Sequence, residues 1–410
     1  MGAFKAYDIR GIYGKDLNGE TVYRIGRFLP GLLKADKVLV GRDARESSPE
    51  IFAELTRGIT ESGADVADLG LSTTPMVYYS TARYGFDASV QITASHNPRE
   101  YNGLKISRTG AIPVGYDTGL ADLEKLVKEG TLPAAAAKRG TVTPFDAKPD
   151  YLAFLGTYRT DYSLKLAIDC SNGMSSLFAR ELFGDAPIYL YEELDGTFPN
   201  HEPNPLEEEN VQALKDTVLK NRCDLGIIFD GDADRVMFVD ETGRFISPDL
   251  IIGVIGKYYL AKEKGPVLHD IRTSRAVSEY IESLGGTPVM WKVGHAFAKI
   301  KLREIKGIFG GELAGHYYFR DFYNCDSGIL ASLIVLSVVD DLRRQGIPLS
   351  RFIDSFAKYA FSGERNFRIE KKQEAMDALK SRFAEQTKPL RFYDFDGYRI
   401  EFADWWFNVR

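Results

Sequence analysis

The sequence has few cysteines and no long apolar run, and both shortages exclude classes of protein. Its three cysteines, Cys170, Cys223 and Cys325, are odd in number and far apart, so they predict neither a disulfide framework nor a paired zinc site. The longest apolar stretch, 328–339, ends at two aspartates and is shorter than the roughly 20 residues that span a membrane. The N-terminal segment lacks the apolar core of a signal peptide. We therefore expect a soluble, cytoplasmic protein.

An excess of positive charge is also missing. Lys and Arg total 52 against 58 Asp and Glu, which gives a net charge of −6 over 410 residues. Mild acidity disfavours a broad surface for nucleic acid or for an anionic membrane, although it leaves room for a local basic pocket. Hydrophobic residues make up 44% of the chain. The composition thus favours a globular protein of two to four domains, at about 100–200 residues per domain.

Short β-rich runs alternate with helical patterns through most of the chain, which is typical of layered α/β domains. Three of these runs end at an aspartate, Asp43, Asp169 and Asp270, and each is followed by a helical pattern and a second strand. The spacing between the aspartates matches the size of one α/β domain. An aspartate that caps the helix after any strand would give a similar pattern. We nevertheless predict a threefold repeat.

The pattern changes after about residue 362 to a charged helix followed by alternating aromatic residues, which indicates antiparallel strands. We predict an α/β fold with three mixed-sheet domains of similar topology and a C-terminal α+β domain. The expected domains are residues 1–140, 141–242, 243–355 and 356–410. Because the chain ends within a strand pattern that would expose an aromatic edge, we expect the last domain to be truncated.

A polar turn follows the strand-like run that ends at residue 93, within the sequence TASHNPREYNGLK. Ser95 beside His96 provides a nucleophile or a phosphate carrier, and Lys105 provides positive charge or a general base. Gly103 is expected to permit tight backbone geometry. Taken alone, this segment is more often an ordinary polar turn.

A second turn, in the sequence FDGDADR, carries three carboxylates at alternate positions, Asp230, Asp232 and Asp234. Side chains alternate in an extended segment, so these three project to one side, and a cation offsets their repulsion. Oxygen ligands favour Mg²⁺ or Ca²⁺ over zinc. An EF-hand is excluded because Arg235 stands where that loop requires glycine. A solvated acidic turn is the alternative interpretation.

Three further segments are weak signals individually. Glu312 and His316, in GGELAGH, suit hydrogen bonds to sugar hydroxyls and proton transfer. The sequence KVGH at 292–295 is basic and contains glycine, and YDIRG at 7–11 places Arg10 where it can contact phosphate. Each segment taken alone is more often a structural loop or a surface ion pair.

In this order and spacing, AYDIRG, TASHNP, DGDADR and GE-x-x-GH resemble the α-D-phosphohexomutases, and among them the phosphomannomutase/phosphoglucomutase group. The resemblance runs from Phe4 to Arg410. It implies an enzyme that moves a phosphoryl group between the 1- and 6-positions of mannose or glucose phosphate, through a phosphoserine and a hexose 1,6-bisphosphate. It also implies one Mg²⁺ per chain and four domains around a central cleft.

The resemblance assigns a role to each candidate residue. Ser95 is the phosphoryl carrier, and its phosphate completes the Mg²⁺ shell of Asp230, Asp232 and Asp234. Acid–base or charge-stabilising roles fall to Lys105, His316, Arg10 and Arg235. The substrate-binding candidates are Tyr7, His96, Lys292, Gly294, His295, Glu312, Ala314 and Arg410.

Two departures from the family pattern leave alternatives open. Ala314 stands where the family usually has serine, which leaves the sugar preference undecided, and Arg410 is the expected first residue of a phosphate-binding loop. The alternatives are a phosphoglucosamine mutase, a degenerate relative that only binds sugar phosphate, and a hydrolase that releases phosphate from Ser95. We expect a hexose phosphate substrate, no nucleic acid or membrane partner, and a monomer or homodimer.

Overall fold

The computed structural model describes residues 2–410, which form four β-sheets. The strands of the first sheet are β1 (Ile9–Ile12), β2 (Lys37–Arg42), β3 (Asp65–Leu71), β4 (Ala88–Ile92), β5 (Tyr101–Arg108), β6 (Ile112–Pro113) and β7 (Val142–Pro144). The helices beside it are α1 (Gly19–Leu33), α2 (Ser48–Glu61), α3 (Thr74–Tyr84) and α4 (Leu120–Glu129). The strand order is β1-β5-β4-β2-β3-β7, and β6 pairs with β5. Since β7 pairs with β3, this sheet continues past residue 140; the four domain boundaries remain predictions.

The second and third sheets contain five strands each. The second has β8 (Leu166–Asp169), β9 (Ile188–Leu190), β10 (Leu225–Phe229), β11 (Val236–Asp240) and β12 (Phe245–Ile246), with helices α5 (Lys148–Gly156), α6 (Ala179–Phe183) and α7 (Glu208–Asn221). The helices of the third region are α8 (Pro248–Leu260), α9 (Arg275–Ser283), α10 (His295–Glu304), α11 (Gly328–Arg344) and α12 (Leu349–Phe356). Its strands are β13 (Pro266–Asp270), β14 (Thr287–Trp291), β15 (Phe309–Gly311), β16 (Tyr317–Phe319) and β17 (Cys325–Asp326).

The first three sheets share one topology. The second runs β12-β11-β10-β8-β9 and the third β17-β16-β15-β13-β14, and the path β5-β4-β2-β3 of the first sheet corresponds to their last four strands. In each sheet three parallel strands are followed by an antiparallel one. Asp43 follows β2, whereas Asp169 and Asp270 end β8 and β13, so the three aspartates occupy equivalent positions. The predicted repeat and the α/β fold class are confirmed.

The apolar run at 328–339 forms most of α11, a buried helix that packs against β10 and β11 of the second sheet and against α8 of the third region. The Ser327 hydroxyl caps this helix by accepting a hydrogen bond from the Leu330 amide at 3.1 Å. Residues of α11, α8 and α3 share one apolar cluster with β10 and β15, while most of the first sheet has a cluster of its own. Within residues 2–410, no helix has the length and hydropathy that crossing a membrane requires.

The fourth unit is the small antiparallel sheet of β18 (Arg391–Tyr393), β19 (Tyr398–Glu401) and β20 (Trp406–Val409), preceded by α13 (Lys372–Lys380). Arg399, buried in β19, donates hydrogen bonds to the carbonyls of Ile271 and Thr273 at 2.7 and 2.6 Å. These contacts fix the sheet against the turn that follows β13. The expectation of a smaller α+β unit is confirmed.

Gly103 lies within β5, where the tight backbone geometry expected of it is a close approach between two strands. A Cβ atom at this position would lie 2.1 Å from the Ile9 carbonyl oxygen. Gly103 is therefore required by the close approach of β1, which pairs with β5 and places Arg10 opposite Gly103. This pairing is also what brings the N-terminal segment to the end of the sheet that carries Ser95.

Candidate active site

Three loops that follow equivalent strands meet at one place. They are residues 93–100 after β4, 230–235 after β10 and 312–316 after β15. The Ser95 hydroxyl donates a hydrogen bond to Asp230 Oδ2 at 2.9 Å, which joins the first loop to the second. An isolated antiparallel bridge between Arg235 and His316 joins the second loop to the third. The repeat thus brings the three motifs together.

Ser95 is held in a strained and buried conformation. Its φ is 53°, in the left-handed region that few residues other than glycine adopt, and the residue is only 1% exposed. Such backbone strain persists where the surroundings enforce it, often at functional sites. The neighbouring His96 places Nδ1 3.4 Å from Ser95 Oγ. Burial, followed by the charge of Arg235, lowers the pKa of His96 well below its usual range, so this ring is neutral.

The carboxylates of Asp230, Asp232 and Asp234 are fully buried, and each offers an oxygen within 4.8 Å of the others. Burial, followed by the charges of Asp234 and Asp232, raises the pKa of Asp230 well above its usual range. The Oδ1 atoms of Asp232 and Asp234 have no hydrogen-bond partner among the described residues. Buried carboxylate oxygens without donors are the hard ligands that Mg²⁺ prefers, so the donor set fits this ion.

Lys105 extends from β5 into the same group. Its Nζ lies 2.7 Å from Asp232 Oδ2 and 2.5 Å from Asp234 Oδ2. Burial alone would lower the pKa of Lys105, but the charges of Asp232 and Asp234 outweigh it and raise the pKa above its usual value. The ammonium group is therefore charged, and it offsets part of the negative charge of the three carboxylates.

Two arginines add further positive charge beside His316. Arg235 Nε donates to His316 Nε2 at 2.9 Å, and the Arg235 amide donates to Asp230 Oδ1 at 3.1 Å. Arg10 forms an ion pair with Asp8 and donates from Nη1 to Asn97 Oδ1 at 2.7 Å, beside the Ser95 loop. Guanidinium groups suit the oxygens of a phosphoryl group.

Glu312 links the third loop to the segment 292–295. One of its oxygens accepts from the Gly294 amide at 2.6 Å and the other from the Tyr318 hydroxyl at 2.7 Å. Tyr7 donates to the Val293 carbonyl at 3.1 Å, and its ring contacts that of His295 with centroids 5.7 Å apart. These contacts gather four of the predicted substrate-binding residues: Tyr7, Gly294, His295 and Glu312.

Comparison with known proteins identifies the family. Models of phosphoglucomutase/phosphomannomutase α/β/α domains I, II and III match residues 1–133, 149–243 and 247–359. A phosphomannomutase of Salmonella typhimurium is 38% identical over 421 aligned positions, which cover 99% of this chain and 91% of that relative. The chain belongs to the phosphoglucomutase/phosphomannomutase family. A phosphomannomutase of Escherichia coli K12 has the same identity and coverage over 420 positions.

The fold agrees with this family. The crystal structure of a phosphoglucomutase/phosphomannomutase family protein from Burkholderia thailandensis superposes with a TM-score of 0.89 at 29% identity, covering 98% of this chain and 89% of that chain. The resemblance predicted from the four motifs is confirmed. As a family member, the protein is an enzyme of the phosphohexomutase class, and the acidic cluster expected for a metal is present.

The remaining predicted residues lie around the segment 292–295. Lys292 Nζ lies 5.7 Å from the ring centre of Phe297, and Ala314 is half-buried in the third loop. Arg410 Nε lies 3.5 Å from Asp396 Oδ1, and the other oxygen of Asp396 accepts from the Val293 amide at 2.8 Å. The fourth unit of this mutase-family protein therefore reaches the sugar-binding candidates through Asp396.

Sequence reasoning missed Arg45, which supports the Ser95 loop from behind. This side chain, 1% exposed, pairs with Asp43 at 3.1 Å. Its guanidinium also donates, at 2.7–3.1 Å, to the carbonyls of Ser95, Asn97, Pro98 and Tyr101. The sequence offered one signal, because Arg45 stands two residues after Asp43, the aspartate that marks the first of the three repeated strands.

Gly231 was also missed. A Cβ atom there would lie 2.5 Å from the Ser95 carbonyl oxygen and 3.3 Å from Pro203 Cβ. The backbone of the acidic loop is thus packed between the Ser95 loop and residue 203 of the second domain. A glycine between two aspartates gave no sign of these distant partners.

Proposed function

We propose that the chain transfers a phosphoryl group reversibly between the 1- and 6-positions of a hexose phosphate, through a phosphoserine at Ser95 and a hexose 1,6-bisphosphate. The observation that carries the proposal is the Ser95 hydroxyl, 2.9 Å from Asp230, in a loop that Arg10 contacts and beside an acidic cluster that Lys105 and Arg235 contact. Here an oxygen nucleophile lies near three buried carboxylates and three cationic side chains, which is the set of groups that phosphoryl transfer requires. The family assignment supports the same chemistry.

We infer that one Mg²⁺ is held by Asp230, Asp232 and Asp234, with a phosphate oxygen on Ser95 as a further ligand. The unpartnered Oδ1 atoms of Asp232 and Asp234 support this choice of ligands. When bound, the ion supplies positive charge that neutralises the phosphoryl oxygens.

In the proposed reaction the bond between Ser95 Oγ and phosphorus breaks while a sugar hydroxyl forms a new bond to phosphorus and gives up its proton. The bisphosphate then reorients and returns its other phosphoryl group to Ser95. Such transfer depends mainly on alignment and charge stabilisation. The raised pKa of Lys105 supports a charge-stabilising role, and Arg10 and Arg235 are assigned to the phosphoryl oxygens.

His316 is the proposed proton acceptor. Its Nε2 accepts a hydrogen bond from Arg235, and the proposal requires Arg235 to turn to the phosphoryl oxygens, which leaves the Nε2 lone pair for the proton of the sugar hydroxyl. His96, whose pKa is lowered by burial, contacts the phosphate on Ser95 as a neutral group in this proposal.

Glu312 is proposed to bind the sugar hydroxyls, because its carboxylate retains acceptor capacity beyond the Gly294 and Tyr318 hydrogen bonds. The other proposed substrate contacts are Tyr7, Lys292, Gly294, His295, Ala314 and Arg410. Mannose phosphate is the first substrate to test, since similar proteins are phosphomannomutases.

The test is incubation with mannose, glucose and glucosamine 1-phosphates, each with Mg²⁺ and a trace of the matching 1,6-bisphosphate. We expect the 6-phosphate of mannose or glucose to form without release of inorganic phosphate. Release of inorganic phosphate would indicate a hydrolase instead. Binding without conversion would indicate a sugar-phosphate-binding relative, and either result overturns the proposal.

A further inference from the structure

A buried ion pair lies behind the His316 ring. Asp326 Oδ2 is 2.6 Å from His316 Nδ1, and Asp326 Oδ1 is 2.7 Å from Lys299 Nζ. The side chains of Lys299 and Asp326 have no exposed surface. Neither residue belongs to the group around Ser95. Asp326 is linked to that group through His316, and Lys299 is linked to it through Asp326.

The two neighbours of His316 determine which ring nitrogen carries the proton. A guanidinium group can only donate and an ionised carboxylate can only accept. Arg235 Nε faces Nε2 at 2.9 Å, so Nε2 is the acceptor and Nδ1 donates to Asp326. These contacts occupy both ring nitrogens. We therefore interpret them as orienting the ring, and not as part of a metal site formed by Asp234, His316 and Asp326, which lie close together.

Stability does not account for burying this pair. A buried ion pair contributes little net stability because desolvation offsets the attraction between the charges. Lys299 lies on α10, and Asp326 ends β17. Tyr78, from α3 of the first domain, covers Lys299 with its ring centre 3.6 Å from Nζ. The pair thus connects α10 and β17 to the loop that carries His316.

We propose that Asp326 and Lys299 are positioning residues for the mutase reaction, which hold His316 as the Nδ1-protonated tautomer with Nε2 directed at Arg235. In this arrangement Lys299 orients the Asp326 carboxylate, and the carboxylate orients the imidazole. Arg235 in turn donates its backbone amide to Asp230. The imidazole is therefore held in one orientation relative to the Ser95 side of the site. The inference rests on the proposed function for its kinetic consequences only.

The kinetic test uses Asp326→Asn, which preserves the shape of the side chain and removes its charge. We expect kcat for hexose 1-phosphate to fall about 10- to 100-fold, less than the roughly 100- to 10,000-fold that an acid–base group itself contributes, while KM changes less than about threefold. In a His316→Ala background the same substitution has nothing left to position, so it causes no further loss. A purely structural role predicts losses that multiply, and that result overturns the proposal.

Asp321→Asn is the matched control. Asp321 lies between β16 and β17 but is 43% exposed, and among residues 2–410 its one ion pair is with Arg320, so its removal leaves kcat unchanged. Lys299→Arg provides a second variant: because it keeps the charge, kcat stays within about fivefold of wild type, whereas Lys299→Met follows Asp326→Asn. Equal losses in Lys299→Arg and Lys299→Met would contradict the role of the charge.

The tautomer can be measured without substrate. The chain has five histidines, few enough for long-range nitrogen–proton correlation spectra of isotope-labelled histidine, with His316 assigned from its absence in His316→Ala. We expect Nδ1–H in the wild type and a mixture of tautomers in Asp326→Asn. An Nε2–H form in the wild type, or no change in the variant, overturns the inference. An inactive wild type with the expected spectra would instead overturn the proposed function alone.

Discussion

Asp232 is fully buried, and only one of its two carboxylate oxygens has hydrogen-bond partners among the described residues. Lys105 and the Thr74 hydroxyl both contact its Oδ2 atom, while its Oδ1 atom has no partner among the described residues. Together the three aspartates carry more negative charge than Lys105 can offset. This excess of negative charge is the physical reason for assigning a divalent cation to the site.

Asp232→Asn tests that assignment. Loss of one charged ligand, worth about 1.5–3 kcal/mol, is expected to weaken Mg²⁺ binding roughly tenfold to hundredfold and to shift the Mg²⁺ dependence of the rate equally. Calorimetry and rate measurements across Mg²⁺ concentrations provide the check. Asp354→Asn, at a surface pair with Arg244, is the control and leaves both unchanged. Unaltered Mg²⁺ dependence in Asp232→Asn would refute the ligand assignment.

At the scale of the elements, the strand ends determine where the chemistry lies. β4, β10 and β15 are equivalent strands, and each delivers its chain into a loop with functional side chains. The loop after β4 has no regular structure of its own to hold it, so its four carbonyl contacts to Arg45 take that role. We therefore expect the shape of the Ser95 loop to depend on Arg45.

Arg45→Met is expected to lower the free energy of unfolding by about 3 kcal/mol, since a buried ion pair loses one partner, and to reduce kcat at least tenfold. Arg42→Met is the matched control: Arg42 pairs with Asp68 at 2.7 Å but both side chains are partly exposed, so the loss stays below about 1 kcal/mol. Chemical denaturation and steady-state kinetics measure both effects. Similar losses for the two variants would contradict the special role of Arg45.

Gly231→Ala tests the contact between the acidic loop and the Ser95 loop. The added methyl group lies 2.5 Å from the Ser95 carbonyl, so the backbone must move, and a misplacement of about 1 Å can cost a hundredfold in rate. We expect kcat to fall at least tenfold. Gly156→Ala, where an added Cβ has no neighbour within 4 Å, leaves kcat unchanged. An active Gly231→Ala enzyme would show that the loops tolerate this displacement.

The sequence predicted those parts of the site that are contiguous in the chain. Asp230, Asp232 and Asp234 stand two residues apart, so their shared chemistry is visible without a fold. Arg45 and Gly231 could not be predicted in the same way, because their partners lie far along the chain and come close only through sheet topology. Gly103 shows the same limit, because it is the close approach of β1 that leaves no room for a side chain at this position.

At the scale of the whole molecule, the repeat was predictable because Asp43, Asp169 and Asp270 mark the same strand in each sheet. The assembly of the repeats was not, since it depends on buried contacts between distant segments. Residues of α11 share one apolar cluster with residues of the second and third sheets, and Arg399 fixes the fourth unit to the turn after β13. These contacts bring candidate substrate-binding residues from several domains to one region.

The central claim is that Ser95 gives its phosphoryl group to the sugar and not to water. Protein carrying radiolabelled phosphate on Ser95 is mixed with unlabelled hexose 1-phosphate and Mg²⁺, and the label is followed during a single turnover. We predict that the label leaves the protein at least as fast as steady-state turnover and is found in hexose bisphosphate and then hexose 6-phosphate. Ser95→Ala, the control, takes up no label and has no turnover. Label that stays on the protein, or that is released as inorganic phosphate, would contradict the account.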